Sequence, residues 1–136
     1  FDDSACMVRA AHLYSRFLYV ESCGQCPACK FGTGETTRLL AEVESEGGSA
    51  QVLESILIRA KGSTDGQKCA LPTGESLLIQ SLVQVFAQEF SNHIGHVCPL
   101  PRELTFHKII DWDGATEGFV YDQNYEWKQP DWTYGS

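Results

Sequence analysis

In the stretch Cys23-Gly24-Gln25-Cys26-Pro27-Ala28-Cys29 a cysteine returns every third residue. Two-residue gaps let one turn curl so that successive sulfurs converge on a single centre. Gly24 and Pro27 break any regular periodicity, which makes this a turn-rich loop. Zinc ribbons divide their ligands into two separate C-x2-C pairs. One loop offering three thiolates, with a single remote cysteine as the fourth, is instead the division of a [4Fe-4S] cubane, which takes one thiolate per iron. Bacterial ferredoxins add a further cysteine after three residues; here that position is Thr33, so the fourth ligand comes from far along the chain.

Two distal cysteines compete on spacing alone. Cys69 lies between expected helices, close to Gly66 and Pro72, and Cys98 is followed by Pro99 as the remote cysteine of some ferredoxins is. Cys6 falls within an expected helix and reads as a small buried hydrophobe. His93, His96 and Cys98 form an H-x2-H-x-C run that a zinc ion could use. The plainer reading of that run is a helix C-terminus where His complements the dipole. Cys23 and Cys26 also spell the C-x-x-C of thiol–disulfide exchangers, but that motif opens a helix after a buried strand. Here the preceding segment is helical.

Working outward, Ser4 to Val20 sets Met7, Ala10, Ala11, Tyr14, Phe17 and Leu18 at steps of three and four, one apolar face of a helix. A second helix follows the cysteine loop and runs to about Glu46, with Leu39, Leu40 and Val43 inward. Val52, Leu53, Ile56, Leu57 and Ala60 mark a third, which stops near Gly62 before a turn at Ser63-Thr64-Asp65-Gly66. Thr73 or Ser76 opens the fourth, whose inward positions are Leu78, Leu82, Val85, Phe86, Phe90 and Ile94. The expected fold class is all-α: a four-helix bundle over residues 1–95 that holds the cluster. Residues 96–136 form an irregular C-terminal extension holding all three tryptophans. Within it, Phe106–Trp112 and Gly118–Asp122 are expected to pair as a short β-hairpin around Asp113-Gly114.

Composition excludes several classes. The chain has 136 residues, with 10 basic and 18 acidic side chains and a net charge of −8. Of the acidic excess, −2 falls on residues 1–68 (7 basic, 9 acidic) and −6 on residues 69–136 (3 basic, 9 acidic). Without a basic cluster there is no footprint for a phosphate backbone, and nucleic acid is not an expected partner. No run of apolar residues reaches the length of a membrane span, so no direct membrane insertion is expected. Six cysteines in 136 residues are too sparse for a disulfide scaffold. They point to a reducing, cytoplasmic setting with thiols kept for metal. No leader is visible, and because residue 1 is Phe the chain is expected to be processed or cut from something longer. A structural zinc module using the same cysteines, and a redox-active thiol protein, are the competing classes.

Glu21-Ser22-Cys23-Gly24-Gln25-Cys26-Pro27-Ala28-Cys29, Lys68-Cys69-Ala70-Leu71 and Phe86-Ala87-Gln88-Glu89-Phe90-Ser91-Asn92-His93-Ile94 together resemble one family. It is the C-terminal domain of the NADH-oxidising flavoprotein subunit of complex I (NADH:quinone oxidoreductase). Relatives in NAD-reducing hydrogenases and NAD-dependent formate dehydrogenases share E-S-C-G-x-C-x-x-C. The similarity runs from Phe1 to about Ile94; Pro130-Asp131-Trp132-Thr133-Tyr134 is similar, less specifically, to tails of actinobacterial members. The resemblance implies that Cys69, in the C-A-L segment, is the fourth ligand beside Cys23, Cys26 and Cys29, in a four-helix bundle carrying one [4Fe-4S] cluster. It also implies that single electrons arrive from FMN reduced by NADH, and leave for downstream iron–sulfur centres of other subunits. The flavin and NAD sites of the family lie in an N-terminal region that has no room here before Cys23. Phe1-Asp2-Asp3-Ser4 reads as its joint, so this chain by itself is expected to lack NADH oxidation, and no catalytic residue is assigned. Where the family usually has Arg-Glu after the third cysteine, this chain has Lys30-Phe31.

Overall fold

The computed structural model describes residues 4–45, 47–96, 98, 100 and 104–135. The joint read at Phe1–Asp3 and the end of the second helix at Glu46 lie outside them. Helices α1 (Met7–Glu21), α2 (Pro27–Glu44), α3 (Ala50–Gly62) and α4 (Leu71–Val85) follow one another, and a short α5 (Ala87–His93) continues from α4. Each long helix packs on the next, and α1 returns to pack on α4, closing a four-helix ring. The all-α expectation is met.

Helix boundaries depart from the expected ones for identifiable reasons. Pro27 opens α2 and Pro72 lies in the first turn of α4. Proline is at home there, because the N–H it lacks would have no intrahelical partner. Pro27 is thus a helix start where the sequence suggested a break, and α4 begins before Thr73. The expected fourth helix is also two helices: Phe86, at φ −106° and ψ 32°, interrupts it. The break turns Phe90 and His93 inward, both buried, while Val85 and Phe86 stay exposed. The inward face of α4 is Pro72, Glu75, Ser76, Ile79 and Val83; Leu78 and Leu82 are half-buried.

The core joins Val8 and Ala11 of α1, Leu40 and Val43 of α2, Ile56 and Ala60 of α3, Ile79 of α4 and Phe90 of α5. Complete burial of side chains such as Leu40, Ile56 and Phe90 contributes about 1.5–3 kcal/mol each. Gly32 has a packing reason to lack a side chain: a Cβ there would sit 2.8 Å from the Ser63 Cβ. The start of α2 thus rests directly on the turn between α3 and α4.

Beyond the bundle, β1 (Ile109–Asp113) and β2 (Gly118–Tyr121) pair antiparallel, with Trp112 opposite Phe119 and Asp113 opposite Gly118. The Asp113 carboxylate closes the hairpin by accepting from Ala115 N and Thr116 Oγ1, both at 2.9 Å. The first strand starts at Ile109, later than the expected Phe106, because Phe106 is spent on α1. Its ring meets Tyr14 at 5.0 Å and Phe17 at 4.7 Å. The polar anchors are as specific. Arg16 Nη2 donates to the carbonyls of Glu126 and Lys128, both at 2.9 Å, and Trp132 Nε1 donates to Val20 O at 2.7 Å. Tyr14, Phe17 and Leu18 are therefore half-buried, and the first two pack against the tail rather than the bundle core. Among the described residues no helix is long and apolar enough to cross a membrane.

Candidate metal centre

In an up-and-down ring, the α1–α2 and α3–α4 connections lie at one end. The first carries Cys23 and the second carries Cys69. The start of α1, the α2–α3 connection and the end of α4 lie at the other. Topology therefore separates the two distal candidates: Cys69 shares an end with the C-x2-C-x2-C loop, and Cys98, which follows α5, does not.

Each thiol of the loop has its own setting. Cys23 is exposed and precedes Gly24, whose φ of +79° is the left-handed conformation glycine tolerates best. Cys26 is the N-cap residue of α2, and Cys29 is in its first turn; both are buried. Cys69 is exposed and directly precedes Ala70, the N-cap residue of α4. Neither helix start has a side-chain cap. Their first backbone N–H groups and the positive ends of two helix dipoles serve anionic charge at this end of the bundle. Burial, and then the neighbouring Cys26, Cys69 and Cys23 thiols and Glu75, push the Cys29 thiol up. Metal cations relieve the repulsion among such thiolates, so the donor set fits an iron–sulfur cluster.

Lys30 holds the loop in place. Its Nζ donates to Tyr19 O at 3.0 Å, Ser22 O at 2.8 Å and Pro130 O at 2.6 Å. One ammonium thus ties the end of α1, the residue before Cys23, and the tail together. Glu75 is the feature that periodicity hides. Its carboxyl is fully buried, accepts from Ser15 Oγ at 2.6 Å through Oε1, and leaves Oε2 without a hydrogen-bond partner. Burial pushes it up to about 7.

The H-x2-H-x-C run is rearranged. His96 is exposed, whereas His93 and Cys98 meet Cys6, 87 residues away from His93. Cys6 is indeed buried, but it stands at the N-cap of α1 rather than within the helix. No local spacing could have linked it to His93.

A closed helical bundle with clustered thiols at two helix N-termini defines a small all-α metal-binding domain. Residues 9–93 match the family model described as the NADH-ubiquinone oxidoreductase-F iron-sulfur binding region, and the chain belongs to that family. One of the F subunits of NADH-quinone oxidoreductase from Rhizobium meliloti is 34% identical over 106 residues, 78% of this chain and 24% of the relative. The F subunit of NADH-quinone oxidoreductase from Streptomyces coelicolor is 34% identical over 118 residues, 86% of this chain and 25% of the relative. The NADP-reducing hydrogenase subunit HndC of Solidesulfovibrio fructosivorans is 26% identical over 103 residues, 71% of this chain and 21% of the relative. The chain spans about a quarter of the length of the curated relatives it matches. It is an iron–sulfur-binding module of that family.

Proposed function

We propose that this chain holds one [4Fe-4S] cluster through Cys23, Cys26, Cys29 and Cys69 and relays single electrons from FMN, reduced by NADH, to downstream iron–sulfur centres. The FMN and NAD sites belong to an N-terminal region outside this chain, and other subunits of a cytoplasmic-side oxidoreductase complex take the electrons. The observation that carries the reading is placement: Cys23, Cys26 and Cys29 at the start of α2 and Cys69 beside the start of α4 share one end of the bundle. A cubane takes one thiolate per iron, which suits three thiols from one loop and a fourth from a second helix start.

When bound, the cluster supplies a one-electron change with little change of geometry. The protein's part is ligation, burial and placement. The four cysteines bind as thiolates. Backbone N–H groups around Gly24 and Gln25 donate to the sulfurs and help set the potential. Lys30 fixes the loop, and none of these roles calls for a general base or a nucleophile.

The test is iron, zinc and sulfide content of anaerobically prepared protein, with its visible spectrum before and after dithionite. About four irons per chain and a brown colour that bleaches on reduction are expected. Zinc in place of iron, with no colour in protein never exposed to air, would overturn the reading.

A further inference from the structure

At the end of the bundle opposite the cluster loop, the N-cap of α1, the last turn of α5 and the start of the tail bring three donors together. Cys6 Sγ, a ring nitrogen of His93 and Cys98 Sγ all lie within 4.8 Å of one another. Cys6 and His93 are buried and Cys98 is half-buried, which leaves a path from solvent. We infer that Cys6, His93 and Cys98 form a second metal site, distinct from the cluster cysteines, that takes a zinc-class divalent ion.

The surroundings are those of ligands rather than of chance neighbours. His93 Nδ1 lies 2.8 Å from Glu89 O. A carbonyl can only accept, so Nδ1 carries the proton and Nε2 presents its lone pair. That nitrogen faces Cys6 Sγ at 3.4 Å. A histidine that donates one N–H to a carbonyl and offers the other nitrogen is the usual outer-shell arrangement of metal-binding imidazoles. Each sulfur also accepts a backbone N–H: Cys6 from Arg9 N and Cys98 from Leu100 N, both at 3.4 Å. Cys6 stands in addition at the positive end of the α1 dipole. These contacts favour the thiolate, while burial and the neighbouring Cys98 push the Cys6 thiol up to about 11, a cost that a bound cation offsets. Glu89 is itself fixed by Met7 N, which donates to its Oε1 at 2.8 Å.

Two thiolates and one imidazole suit zinc, a borderline-soft ion that takes Cys and His in tetrahedral sites. Three protein donors leave the fourth position to water. Binding releases the two thiol protons to solvent, with no change of oxidation state. The ion would staple the start of α1, the end of α5 and the start of the tail to one another, a role the cluster at the far end cannot perform.

The experiment uses the full chain with its iron–sulfur centre intact. It is equilibrated with zinc, passed through gel filtration without chelator and assayed for zinc and iron, beside Cys6→Ser, Cys98→Ser and Cys69→Ser. The Cys6→Ser variant keeps its cap on α1, because a serine hydroxyl accepts the Arg9 N–H as well as sulfur does. Expected are one zinc per chain in the unmodified protein, none in Cys6→Ser or Cys98→Ser at unchanged iron, and one in Cys69→Ser. Cobalt in place of zinc should show a thiolate charge-transfer band that Cys98→Ser removes. If the cluster cysteines take zinc instead of iron, the count becomes two against one in Cys98→Ser, so the two readings fail separately. Equal zinc in the unmodified protein and Cys98→Ser would overturn the inference. So would a Cys6–Cys98 disulfide recovered from anaerobically prepared protein.

Discussion

Lys30 Nζ donates to Pro130 O at 2.6 Å, a hydrogen bond across 100 residues that ties the residue after Cys29 to the C-terminal tail. The same ammonium serves two carbonyls beside the cysteine loop, so loop and tail are held by one charge. Charge-assisted hydrogen bonds of this kind are worth about 1.5–3 kcal/mol. Lys30→Met, which keeps the stem and removes the donor, should lower stability to urea by about that amount. It should also speed amide exchange at Trp132 and Thr133. Unchanged exchange there would show that the tail is anchored by its other contacts alone.

Glu21 should make that anchoring sensitive to acid. Its carboxylate accepts from Lys108 at 2.6 Å and Lys128 at 3.0 Å. Burial alone would raise it, but the two lysines outweigh burial and hold it below 4.5. The folded state thus binds this proton less readily than the unfolded chain. Its stabilisation is complete above pH 4.5 and is lost as pH falls through the lowered folded value. Glu21→Gln should cost about 1.5–3 kcal/mol at pH 7 and flatten the acid limb of the stability profile. Profiles that run parallel would remove Glu21 as the cause.

Glu75 carries the opposite sign. With a folded value near 7 against 4.5, the native state keeps a proton that the unfolded chain has released between those pH values. Stability therefore falls as pH rises through that window, and the cost is complete above it, on the order of 3 kcal/mol. Glu75→Gln keeps an acceptor for Ser15 and cannot ionise. The variant should be the more stable protein at pH 8 and lose this slope between pH 5 and 7, measured by urea titration. An unchanged slope would show that another group titrates.

Gly32→Ala tests the seat of α2 on the α3–α4 turn. The added methyl meets the Ser63 Cβ at 2.8 Å and the Arg59 carbonyl at 3.2 Å. Overpacking should cost about 1–3 kcal/mol, although alanine is the better helix former by about 1 kcal/mol. Thermal unfolding of the two proteins decides the sign; a stabilised variant would mean that the turn moves aside cheaply.

The helices were legible because Leu39, Leu40 and Val43, or Val52, Ile56 and Ala60, repeat with the helical period. The α4–α5 break was not, since Leu82, Val85, Phe86 and Phe90 keep that period through a bend whose cause is the burial of Phe90 and His93 elsewhere. Polarity hid Glu75, because a carboxyl at an inward position reads as a solvated residue until Ser15 is found opposite it. The cysteine loop announced its chemistry through spacing, yet spacing could not choose between Cys69 and Cys98. The order of the helices around the ring puts Cys69 at the same end as the loop. Cys6, His93 and Cys98 were separable only in three dimensions, and the tail anchors are main-chain carbonyls that carry no residue signature.

The central claim is the ligand set, and one comparison addresses it: iron content and reduced-state electron paramagnetic resonance of Cys69→Ser beside Cys98→Ser, both prepared anaerobically. The account predicts that Cys69→Ser loses the cluster or converts it to a three-iron form, while Cys98→Ser keeps four irons and an unchanged signal. An intact cluster in Cys69→Ser, with its loss in Cys98→Ser, would contradict it.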